Sequence, residues 1–88
     1  MGAGMIDQEL TRLRRRKDEL EQRIIPVLES RTQSLFAQIM PLGKETEERE
    51  KLEADYKIQS NELRLRSDER NNIRQEIERL ERLRKTRS

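Results

Sequence analysis

Carboxylates and guanidinium groups are the only side chains dense enough in this sequence to suggest chemistry. Glu47 and Glu50 are a representative acidic pair. Two carboxylates divide acid and base roles when burial or a neighbouring charge drives their pKa values apart. Here both fall on the exposed side of a predicted helix, with nothing to desolvate them. The chain has no cysteine and no histidine. That removes thiolate chemistry, the commonest general base and the commonest metal ligand. No glycine-rich phosphate loop, metal-ligand cluster or nucleophile–base set is present either. The chain reads as a non-enzyme that needs no cofactor and takes no small-molecule substrate.

The guanidinium groups offer more. One basic run is Arg12, Arg14, Arg15, Arg16 and Lys17; a second is Arg79, Arg82, Arg84, Lys85 and Arg87. Together they form a candidate patch for an acidic partner such as a tubulin surface. The competing reading makes them solvated outer positions paired with Glu19, Glu21, Glu78 and Glu81. Nucleic acid is disfavoured because the runs lack aromatics for base stacking and acids interrupt them. A membrane surface is disfavoured because the apolar stripe is narrow, with no Trp or Phe near the runs. Charge also varies along the chain. Residues 44–60 hold four basic and six acidic side chains, whereas residues 61–88 hold nine and six.

These runs must be positioned by long helices. Of the 88 residues, 31% are apolar and 43% charged, with one Phe, one Tyr and no Trp. That is too little apolar surface for a globular core, and periodicity selects a coiled coil over disorder. From Ile6 the seam steps by four and three through Leu10, Leu13, Lys17, Leu20, Ile24 and Val27. Pro26 lies on the outer face and predicts a kink. Beyond it the seam moves over by one residue, to Ile25, Leu28, Thr32, Leu35, Ile39 and Leu42, flanked by Phe36 and Met40. A second seam runs Leu52, Tyr56, Gln59, Leu63, Arg66, Arg70, Ile73, Ile77 and Leu80.

Between the seams stand Met40, Pro41, Leu42, Gly43 and Lys44. Proline removes a backbone donor and pushes Met40 away from helical angles, and Gly43 offers a left-handed helix end. Thr46, followed by Glu47, Glu48 and Glu50, signals a fresh helix start. The expected layout is residues 1–5 as a cloning remnant, helix 1 over 6–40, a turn or bend over 41–45, helix 2 over 46–85, and a frayed 86–88.

The expected fold is all-α, built of long coiled-coil helices broken at Pro41–Gly43. Folding back at Gly43 sets Ile6 against Leu80, Leu10 against Ile77, and Leu13 against Ile73. It also sets Lys17 against Arg70 and Leu20 against Arg66. This antiparallel hairpin is favoured slightly over a continuous parallel dimeric coiled coil, whose in-register layers would stack like charges at Lys17, Arg31, Arg66 and Arg70. A two-helix hairpin buries too little surface to stand alone, so both forms predict an oligomer, a homodimer first or a pairing with a different coiled-coil chain. The pattern resembles that of long structural coiled coils of cytoskeletal, centrosomal, kinetochore or tethering proteins, a resemblance carried by the heptads. It implies an oligomerising module that spaces or tethers parts of a larger protein. Electrostatic docking on microtubules or another acidic polymer is the alternative. Without cysteines, a signal peptide or a transmembrane segment, an intracellular location is expected.

Overall fold

The computed structural model describes the backbone of residues 2–44 and 46–87, and the side chains of 4–44 and 46–86. All regular structure among them is helical: α1 (Gly2–Glu19), a π turn (Leu20–Ile24), α2 (Ile25–Ile39) and α3 (Glu47–Arg87). α1, the π turn and α2 join into one arm; α3 is the other. Forty-one residues at about 1.5 Å each span about 62 Å. The molecule measures 63 × 16 × 14 Å, so α3 runs its full length. The radius of gyration is 19.2 Å, against about 12 Å for a compact chain of this size.

The arms meet along an apolar strip. Leu10, Leu13, Ile77 and Leu80 form a buried cluster, with Ile6 and Ile73 packed against it. Leu20, Ile25, Leu28 and Ile39 continue the buried line towards the turn. Leu52, Tyr56 and Leu63 on α3, with Leu35 on α2, are half-buried. Ion pairs join residues far apart in sequence, Asp7 with Arg84 and Arg14 with Glu81 among them.

The π turn explains the one-residue shift of the first seam. The Ile25 N–H donates to the Leu20 carbonyl, five residues back instead of four. One extra residue is thereby absorbed into the turn. The buried face passes from Leu20 to Ile25, while Ile24 is half-buried and Val27 lies 47% exposed. The departure from α-helical hydrogen bonding lies in the turn just before Pro26. Pro26 itself is exposed and lies in the first turn of α2. Its ring crowds the carbonyl four residues before it, so the turn that relaxes must precede it.

Three expectations at the ends and the break are corrected. α1 begins at Gly2 rather than Ile6. Met40 stays helical, at φ −53° and ψ −44°. Ile25 is likewise helical before Pro26, at φ −63° and ψ −46°. The bias that proline exerts on its predecessor yields to an established helix on its N-terminal side. No described glycine has a positive φ, so Gly43 does not supply a left-handed cap. Instead Pro41 stops the helix, and the Leu42 N–H donates to the Ile39 carbonyl at 3.0 Å, closing a tighter turn. Glu45 and Ser88 lie outside the described residues, while Thr86 remains helical and donates to the Arg82 carbonyl.

Thr46 caps α3 as expected: its Oγ1 accepts from the Arg49 N–H at 3.2 Å. The Arg49 guanidinium donates to the Leu42 carbonyl at 2.9 Å and to Glu53 at 2.7 Å, tying the turn to α3. Two substitutions separate these roles. A Cβ added at Gly43 would meet only Thr46 Cγ2, at 3.9 Å. Gly43→Ala is therefore expected to raise stability by about 0.4–1 kcal/mol through a less flexible unfolded chain. Thr46→Ala is expected to lower it by about 1 kcal/mol through the lost cap. Urea titrations of both variants test this; a destabilised Gly43→Ala would show that the turn needs glycine.

Candidate interaction surfaces

The basic runs converge at the end of the molecule away from the turn. Most of their charges are used there. Arg12 pairs with Glu9 and Arg79 with Glu76, each three residues away on the same helix. Arg14 reaches Glu81 at 2.8 Å, Arg84 reaches Asp7 at 3.1 Å, and Arg74 approaches Glu21 at 3.9 Å, all across the arms. Arg16 donates to Glu69 at 2.8 and 3.2 Å and pairs with Glu19 at 3.0 Å. Arg82 approaches Glu78 at 3.9 Å. Arg15 is exposed and Lys17 half-buried, and neither has an ion pair among the described residues. Lys85 also interacts with its surroundings. The Arg87 side chain lies outside the described residues.

Glu69 is the hub of this end, a role that heptad spacing does not signal. It accepts from Arg16 on the opposite arm and from Arg66 on its own, the latter at 2.7 Å. Arg66 also pairs with Glu62 at 2.9 Å. The conflict expected near Arg66 is thereby answered by acids on α3 itself. Arg70 keeps a buried Nε without a hydrogen-bond partner. The hydrogen bond from Arg16, joined by that from Arg66, holds the Glu69 carboxyl below the usual carboxylate range. Arg14 does the same for Glu81. A depressed carboxylate pKa contributes stability above the unfolded-state value and loses it as pH falls through the folded one. Melting temperature is therefore expected to fall on acidification below about pH 4.5, the ordinary range of these groups. Glu69→Gln is expected to flatten part of that fall; an unchanged profile would remove Glu69 from the account.

A different surface lies midway along the molecule. A groove between the arms is lined by Arg23, Ile24, Val27 and Leu28 from the first and by Ile58, Gln59 and Glu62 from the second. It continues towards the turn past Arg31, Ser34, Asp55 and Gln59. Ile58 is 64% exposed and Leu65, seven residues on, 46% exposed. Seven residues return to the same helix face. The spacing of these two residues is present in the sequence, but it lies outside both seams and so carries no signal of its own. Closer to the turn Phe36 and Tyr56 meet at 6.2 Å between ring centroids with their planes tilted by 43°, and Phe36 is half exposed.

No family model matches this chain, and neither a curated protein nor a solved structure does. Among the described residues no helix is long and apolar enough to cross a membrane.

Proposed function

We propose that this chain is a structural interaction module: a helical hairpin of coiled-coil type that self-associates and tethers or spaces parts of a larger assembly, as cytoskeletal, centrosomal or kinetochore coiled coils do. The carrying observation is surface. The chain exposes 6989 Å², whereas a compact monomer of this mass exposes about 5,500 Å². The excess, about 1,500 Å² on one chain, exceeds the roughly 800 Å² that each partner of a standard stable interface buries. Exposed Val27, Ile58, Leu65, Phe36 and Met40 supply the apolar part of it.

The fold-back is tested by spin labels on Cys variants at Arg16 and Gln75, diluted with unlabelled chain. A separation of about 10–20 Å is expected for packed arms. A separation near 90 Å, that of 59 residues of straight helix, would replace the hairpin with a rod.

A second reading rests on Arg15, exposed without an ion pair, and on Arg82, whose side chain is 82% exposed. It makes the basic end a docking site for an acidic polymer such as a microtubule surface. Co-sedimentation with microtubules separates the two. Affinity that falls steeply with salt supports docking, since exposed charges are screened within about 10 Å at 0.1 M salt. Absent binding alongside retained self-association supports the tether.

A further inference from the structure

The middle of the molecule differs from its basic end in how its charges are used. At the basic end the acids and bases of the two arms neutralise one another. Around Val27 and Ile58 they do not: Arg23, Arg31 and Asp55 make no ion pair among the described residues. Gln59 Oε1 is buried there without a hydrogen-bond partner. Unpaired charges of both signs flank an exposed apolar strip, the pattern of an interface whose other half is missing.

The arrangement of those charges specifies the other half. Both cations sit on the α2 side or on the π turn leading into it; Asp55, the unpaired anion, sits on the α3 side, as does Glu62, which also pairs with Arg66 on its own helix. Arg31 shares one stretch of groove with Asp55; about two helical turns further along, Arg23 shares the next with Glu62. Two symmetric ways of laying a second copy on this face exist. With the two-fold axis across the long dimension, α2 would lie antiparallel on α2 of the other copy. Arg23 would then meet Arg31, and Asp55 would meet Glu62, like on like. With the axis parallel to the long dimension, α2 of each copy lies on α3 of the other at the same level. Arg31 then meets Asp55, Arg23 approaches Glu62, and Val27 meets Ile58.

We propose that a second copy of this chain covers the Val27–Ile58–Leu65 face about a two-fold axis parallel to the long dimension, giving a four-helix bundle with both turns at one pole and both basic ends at the other. This deepens the self-association reading and rests on it. The bundle gathers the basic ends of two chains at one place, so it acts as a clip rather than as a linear spacer.

The test uses Arg31→Glu and Asp55→Arg, at exposed positions where folding is expected to survive, with helicity checked by circular dichroism. Each variant alone sets like charges together twice in the bundle, and a loss of association of about tenfold is expected from two exposed pairs turning from attraction to repulsion. Mixed in equal amounts, the two variants complement. The carboxylate introduced in the first chain by Arg31→Glu faces the guanidinium introduced in the second by Asp55→Arg. The unaltered Asp55 of the first chain faces the unaltered Arg31 of the second. Sedimentation equilibrium should show association restored to the wild-type level in the mixture only. Pairing inside one chain cannot produce that rescue, because each chain carries one change. A wild type that associates while the mixture shows no rescue would overturn the face or its orientation and leave self-association standing. A wild type that stays at 10.6 kDa at every concentration would overturn both and leave the face to a different chain.

Discussion

Leu20→Ala is expected to cost about 2–5 kcal/mol, the range for truncating a fully buried leucine. Leu20 is 0% exposed, as is Leu10, and these are the largest fully buried side chains among the described residues. The neighbourhood has little capacity to collapse around the cavity, because the molecule is only 16 × 14 Å in cross-section and its core is one strip deep. A domain of this length has a total stability of about 4–13 kcal/mol, so the loss takes a large share. Met40→Ala is the control: Met40 is apolar but 65% exposed, and its truncation is expected to stay within about 0.5 kcal/mol. Urea unfolding followed by far-ultraviolet circular dichroism measures both. Equal effects at the two positions would mean that the buried strip does not hold the arms together.

Heptad spacing makes most of that strip legible. Leu10, Leu13, Leu20, Ile77 and Leu80 are buried where steps of four and three place them. The start of α3 is legible too, because the cap of Thr46 and the acids behind it are local signals that need no tertiary information. The break is legible as a break but not in its geometry. Proline and glycine signals at full strength predict a non-helical Met40 and a left-handed Gly43, yet Met40 stays helical and Gly43 has no positive φ. What the sequence does not disclose are features that depend on the other arm. Glu69 becomes a hub because α1 delivers Arg16 to it across 53 residues of sequence. Ile58 and Leu65 become a surface because Val27 arrives beside Ile58 in one groove. Seam residues Lys17, Gln59, Arg66 and Arg70 are half-buried, as long side chains that lay their stems along an apolar seam should be. The basic runs show the same dependence from the other side. Their charges are plain in the sequence, but their neutralisation by Asp7, Glu69 and Glu81 depends on which residues the second arm brings alongside.

The π turn carries the other large effect, and it makes a sharper demand on the register. If the turn exists to absorb one extra residue between Leu20 and Ile25, removing a residue there should restore an unbroken α-helix without moving the buried face. Arg23 lies in the turn and is exposed, so it is the residue to delete. After deletion Leu20 and Ile25 stand four residues apart, the spacing of one helix face. Pro26 would then lie in the interior of a regular helix, at a cost of about 3 kcal/mol. The informative variant therefore combines the Arg23 deletion with Pro26→Ala. It is expected to be at least as stable as the wild type, since the π turn and the helix-breaking ring leave together. Deleting Arg15, equally exposed but inside regular α1, is expected to do the opposite. It rotates Leu10 and Leu13 by about 100° relative to everything after them. Whichever part stays in place, the other turns its leucines to solvent, a loss of several kcal/mol on the scale of two buried leucines. Thermal melts of the two deletions should diverge strongly, with the Arg15 deletion unfolded or nearly so. Equal tolerance of both would mean that the arms slide past one another freely and that burial at Leu20 and Ile25 does not fix the register. Equal intolerance would mean that the π turn is itself required, as a bend that the second arm needs in order to stay in contact.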